Sequence, residues 1–168
     1  MKAPGAQQQS DSGESVASLS PEQVNREQQA ANQAVLETLG KGPLEAPIEE
    51  RPDFVSRVEW QIFRGVAGQK EQPRKELVRL VNSLRFYKLR EHWQSMATEP
   101  DSPRRTDLAE QLLDEIPRRV ASQELARDQA HRMQLDILEH FIEEASERNQ
   151  RAAREARRIG VTFDINHS

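Results

Sequence analysis

"SLRFYKLREHWQSM", residues 83–96, is the stretch on which the fold turns. It holds the chain's single tyrosine, Tyr87, one of its two tryptophans, Trp93, and also Phe86 and Met96. Arg85, Lys88, Arg90 and Glu91 are interleaved with them. On a 3.6-residue period, Phe86, Leu89, Trp93 and Met96 form one stripe. Immediately upstream, Leu77, Leu80, Val81 and Leu84 form another, displaced around the axis. A helix packed on one core needs only one such arc. Two arcs predict a helix from about 74 to 97 that is buried on two sides, against different neighbours. Its charged side chains read as solvated helix surface. One neighbour is the chain's own helices; the other is either more of that core or a second protein.

Working outward, the flanks are also helical. "SPEQ" sets Ser20 as an N-cap, Pro21 at the first helical position and Gln23 at the capping-box position. That predicts a helix from Pro21 to about Leu39, stopped by Gly40. Residues 1–19, rich in Gln, Ser, Gly and Ala, read as a disordered polar segment. Residues 40–52, "GKGPLEAPIEERP", read as an extended Gly/Pro linker, with Leu44 and Ile48 free to dock on a neighbour. Residues 53–168 form the helical partner-binding domain. It opens with a second capping box, Ser56 and Glu59, and with Val58, Ile62, Phe63 and Val66 on one face. Ser102 and Pro103 open a further helix with the stripe Leu108, Leu112, Ile116, and Pro117 predicts its end or a kink near Ile116. From about 118 or 123 to Ile159 there is neither proline nor glycine. The expectation is one continuous helix roughly 55 Å long at about 1.5 Å per residue. "VTFDI", 161–165, alternates like a short strand. The fold class is therefore all-α: an elongated multi-helix array with a very long C-terminal helix and a disordered N-terminal segment.

Composition supports a thin core. Apolar residues make up 35% and charged residues 31%, against roughly 45–50% and 25% in ordinary globular domains. The charge is uneven: residues 1–50 carry net −5 and residues 51–168 net +1. Neither part is the basic stripe of a nucleic-acid binder, so nucleic acid is not an expected partner. No apolar run reaches the ~18 residues that would span a bilayer. With no cysteine, disulfides and thiolate chemistry do not arise. The first 18 residues lack a hydrophobic core and resemble the polar spacer that follows a removed export signal or membrane anchor.

No constellation for chemistry stands out. There is no G-x-S-x-G elbow and no Gly-rich phosphate loop. Asp128 and His131 make one acid-x-x-His pair where a di-iron bundle needs two. Asp136, His140 and Glu144 recur at i, i+4, i+8 and read as a solvated helix face. No catalytic, cofactor or metal residues are assigned, and the chain is expected not to be an enzyme. Calcium held by an irregular carboxylate cluster stays open. Three arginine pairs, 104/105, 118/119 and 157/158, read first as helix-end placement and second as forks for a partner's carboxylates. Trp, Tyr and Arg dominate binding hot spots. The candidate partner-binding residues are accordingly Trp60, Phe63, Phe86, Tyr87, Trp93, Met96 and Phe141.

Four features travel together: the polar spacer, the absence of cysteine, the cluster "RPDFVSRVEWQIFRGVA…LVNSLRFYKLREHWQ", and the arginine-rich "ASQELARDQAHRMQLDILEHFIEEASERNQRAAREARRI". Together they resemble the exported accessory proteins of bacterial secreted phospholipases C. In architecture the chain is also similar to lipase-specific foldases, although their R-x-x-F-D-Y motif is absent. The resemblance covers about residues 51–160 and implies a periplasmic or secreted chaperone that binds its enzyme client as it folds. Two other readings stand beside it. One is a scaffold in which the long helix pairs with a second copy; the other is a cytoplasmic adaptor that masks another protein.

Overall fold

The computed structural model describes residues 16–162, and these form an all-helical chain with no strand among them. Helix α1 is Pro21–Ala34 and runs into a 3-10 turn, Val35–Thr38. Then follow α2 (Arg57–Ala67), α3 (Pro73–Ser95), α4 (Pro103–Ala121), α5 (Arg127–Glu139) and α6 (Ala145–Arg158). The expected disordered segment falls mostly on residues 1–15, outside the described residues, as does most of the expected strand at 161–165. The chain divides into two compact units, the first ending at Arg85 and the second beginning at Phe86. That division lies inside α3 and separates its two apolar stripes, so each stripe belongs to a different unit.

In the first unit both capping boxes form. Ser20 Oγ accepts from Gln23 N at 3.2 Å and Ser56 Oγ from Glu59 N at 3.1 Å. The second box also docks α1. Ser56 Oγ donates to Gln28 Oε1, Gln28 Nε2 donates to Glu59, and the Glu27 carboxylate takes Arg57 through both its backbone N and its guanidinium. Ala31, Val35, Phe54, Val55, Trp60 and Val81 are buried here. Asn82 pairs with Leu44 through two 2.9 Å bonds, to its N–H and from its own amide to the carbonyl. This satisfies the backbone N–H and C=O of Leu44, which lies in a stretch without regular secondary structure.

Arg85 corrects the expectation of a solvated helix surface, because only 1% of it is exposed. Its guanidinium donates to Thr38 Oγ1, Thr38 O and Lys41 O at 2.9, 3.1 and 2.6 Å. Thr38 ends the helical segment, where the dipole favours a cation; its carbonyl also accepts from Lys41 N at 3.0 Å. Lys88 is likewise buried. Helix α2 is also rotated from its expected face. Trp60 and Ala67 are buried, whereas Ile62 and Val66 are exposed. Burying the largest side chain of the helix removes more apolar area from water than burying two smaller ones.

In the second unit α5 packs against both α4 and α6. Leu108, Leu112, Leu113 and Ile116 of α4 form the centre with Leu138, Ala152 and Ala156. Helix α4 runs through Pro117 to Ala121 and does not stop at Ile116. Burial of Leu112, Leu113, Ile116 and Arg119 on either side outweighs a proline penalty of about 3 kcal/mol. Helix α6 is held by a buried carboxylate: Glu155 takes Arg151 at 2.7 Å and Arg158 at 2.9 Å. The same arginines reach Glu110 and Asp114 on α4 at 3.2 and 3.1 Å. Burial alone would depress both guanidinium pKa values, but these carboxylates outweigh it and hold them above the ordinary range. Gln134 Nε2 donates to Glu155 O at 3.0 Å, filling a carbonyl that the last turn of α6 leaves open.

The long C-terminal helix is replaced by three helices and two breaks. At the first break Gln123 adopts φ +64°, with Gln123 N bonded to Val120 O and Glu124 N to Arg119 O. That is a Schellman stop with glutamine in the left-handed position usually held by glycine. At the second, Glu144 caps α6 by accepting from Ser146 N and Glu147 N at 3.1 and 2.7 Å, while Arg148 donates back to Ile142 O and Glu143 O. The two backbone bonds hold the Glu144 carboxyl below its usual range. Because its folded pKa is depressed, this cap is complete above about pH 4.3 and is lost as pH falls through the folded value. Residues 123–159 therefore do not form one continuous helix. Gln123→Gly is expected to raise stability by about 0.5–1 kcal/mol, since it relieves a left-handed backbone. A thermal melt at or below that of the parent would refute this.

Candidate functional site

The second unit presents its aromatic residues in two ways. Successive residues on a helix point about 100° apart, so burying Phe86 turns Tyr87 outward. Phe86 is fully buried, while Tyr87 is 40% exposed, the largest exposed apolar side chain among the described residues of this unit. The two rings meet edge to face, with centroids 5.5 Å apart. Beneath both lies Arg119 of α4, its guanidinium 4.7 Å from the Phe86 ring and 5.4 Å from the Tyr87 ring. Arg119 is buried, so this cation–π contact is desolvated and stronger than its surface counterpart. Tyr87 is thereby braced from below and free above.

A groove of about 550 Å³ opens beside it. Helix α5 supplies the facing wall with Gln129, Met133 and Asp136, spaced i, i+4, i+7 on one face, and Arg132 at the edge. Leu125 and Arg90 complete the lining. Arg132 approaches Asp128 at 3.4 Å, but both are well exposed, so the pair holds little energy and leaves the guanidinium available. Arg90 pairs with no described residue. The groove thus combines a rigid phenol, a flexible thioether and two cations against one carboxylate, a chemistry suited to an apolar peptide segment with acidic neighbours.

The remaining candidate residues are dispersed. Trp60 is buried in the first unit, and Phe63 is half-buried on α2 beside the exposed Ile62 and Val66. Trp93 is buried under Arg105, at 5.0 Å, and edge-on to His140, at 5.9 Å. Met96 and Phe141 are half-buried. Of the seven, only Tyr87 lines the groove. The arginine pairs also divide. Arg105 and Arg119 turn inward onto rings and Arg158 is tied to Glu155 and Asp114, while Arg104, Arg118 and Arg157 stay exposed. Asp136, His140 and Glu144 do not share a helix face, because α5 ends at Glu139 and Glu144 is spent on capping α6. Among the described residues no three His, Asp or Glu side chains are grouped to hold a metal ion, and no helix is long and apolar enough to cross a membrane.

Sequence reasoning missed the α5 wall. Gln129, Met133 and Asp136 carry helical spacing, but in the sequence Met133 reads as part of the apolar stripe Ala126, Ala130, Met133, Ile137, Phe141 and Ala145, whereas it lines the groove. No family model, curated protein or solved structure matches the chain.

Proposed function

We propose that this chain is a non-enzymatic helical binding protein that takes a segment of a protein client in the groove beside Tyr87. In its finer form the client is a secreted phospholipase or lipase, and the chain acts as its accessory chaperone in the periplasm or during secretion. The observation that carries the binding reading is Tyr87 itself, exposed at the rim of a groove yet braced by Phe86 and Arg119. A rigid aromatic loses little entropy on binding, which is why such residues anchor interfaces. The finer reading is supported by the resemblance of residues 51–160 to phospholipase accessory proteins.

The test is co-expression with a secreted phospholipase C or lipase from the same secretory pathway. Soluble, active client is expected to rise in the presence of the chain. Tyr87→Ala is expected to weaken the complex by about 2 kcal/mol, roughly thirty-fold in Kd, with the thermal melt within a few degrees of the parent. A client that folds equally well alone sinks the chaperone reading. Unchanged binding by the Tyr87 variant sinks the groove.

A further inference from the structure

The first unit has a groove of its own, about 510 Å³, between the end of α1 and the irregular stretch 41–54. Phe54, Ile48 and Leu44 give it an apolar floor, with Ile48 and Leu44 half-buried. Glu37, Glu45, Glu49, Glu50 and Asp53 line it, and all five are exposed. None of the five pairs with a described residue. Only two cations, Lys41 and Arg51, share the lining with these five carboxylates, and Arg51 donates to Val55 O at 2.7 Å, so the lining keeps a net negative charge. These carboxylates are strung along the groove, with no three of them grouped around a metal position. Their mutual repulsion raises the free energy of the empty groove, and a line of positive charge relieves it.

We infer that this groove docks a basic, apolar-anchored segment of a partner protein, an extended peptide in which Lys or Arg alternates with Leu, Ile or Val. Aliphatic side chains would rest on Leu44, Ile48 and Phe54, and the cations would meet Glu45, Glu49 and Glu50 at the rim. The stretch is already tied down at Leu44 by Asn82 and at its far end by the Arg51 bond to Val55 O. Little ordering is therefore needed on the protein's side, which leaves more of the contact energy for binding. The site lies wholly within the first unit and does not depend on the Tyr87 groove.

The experiment titrates three labelled twelve-residue peptides into the full chain, followed by fluorescence anisotropy. One alternates Arg with Leu, one alternates Glu with Leu, and one alternates Arg with Gly. The Arg/Leu peptide is expected to bind at least tenfold more tightly than either other, and to weaken at least tenfold between 50 and 500 mM salt on screening grounds. The variant carrying Glu45→Lys, Glu49→Lys and Glu50→Lys changes only exposed side chains. It should lose this binding with an unaltered circular-dichroism melt, while Tyr87→Ala should retain it. Equal binding of the Arg/Leu and Glu/Leu peptides, or full binding by the triple variant, overturns the assignment. Equal binding of the Arg/Gly peptide removes the apolar anchor and overturns it too. A salt-sensitive dimer that the triple variant abolishes would give the groove to a second copy of the chain and overturn the peptide assignment.

Discussion

Alanine at both Phe86 and Trp93 is expected to abolish the cooperative thermal transition of the full chain. Phe86 is fully buried and Trp93 is 3% exposed, so each substitution empties a packed site. Large aromatic-to-alanine changes in cores cost about 3–5 kcal/mol each. Two of them, even less than additive between neighbours, rival the roughly 5–15 kcal/mol that holds a domain together. The damage is compounded because Arg119 and Arg105 lose the rings they cover and remain buried charges without that contact. Far-ultraviolet circular dichroism on heating reads the result. A variant that melts near the parent temperature but fails to bind a client would make these two rings interface residues instead.

The second large effect is expected at Glu155. Its side chain is only 4% exposed and carries two arginines, which in turn reach α4. Breaking a fully buried pair by removing one partner costs about 3–5 kcal/mol. Here the cations are 21% and 41% exposed, so water takes up part of their charge once the carboxylate is gone. With that screening, Glu155→Ala is expected to lose about 2 kcal/mol and several degrees of melting temperature. Chemical denaturation reads the difference. Arg132→Ala serves as a comparison, since its exposed pair with Asp128 predicts a change near zero. Equal effects from the two substitutions would mean that the Glu155 hub contributes no more than a surface contact.

These two expectations mark where the sequence could and could not be read. Helix starts were legible because their chemistry is local. Ser20 with Gln23, and Ser56 with Glu59, sit three residues apart, and the hydrogen bonds they make are between neighbours in the chain. The double stripe of α3 was legible for the same reason, since helical periodicity alone sets Leu77–Leu84 apart from Phe86–Met96. The all-helical class follows from such signals. Whether Arg85 faces water did not follow from them. That depended on the carbonyls of Thr38 and Lys41, more than forty residues away in sequence. The Tyr87 groove was half legible: the exposed ring belongs to a noticeable stretch, but its brace, Arg119, and its opposite wall come from other helices.

The two ends of the segment 118–159 show the division most plainly. Gly160, at φ +75°, closes α6 with Gly160 N bonded to Arg157 O and Val161 N to Ala156 O. Gln123, at φ +64°, closes α4 with the same pair of bonds two helices earlier. Glycine enters the left-handed region without a steric cost, so its stop is written in the residue type. Glutamine pays for that conformation, and nothing in its side chain announces it. The compensation is the packing beyond the turn, where Leu125 is buried and α5 can fold back onto α4. One long helix would have left the stripe of Ala130, Ile137 and Leu138 without a surface to cover it. By itself the sequence determined the helices' composition, their capped starts and their glycine-marked ends. Only the tertiary structure decided where the last of them break, because the energy that bends the chain there comes from burial between segments and not from the residues at the bend.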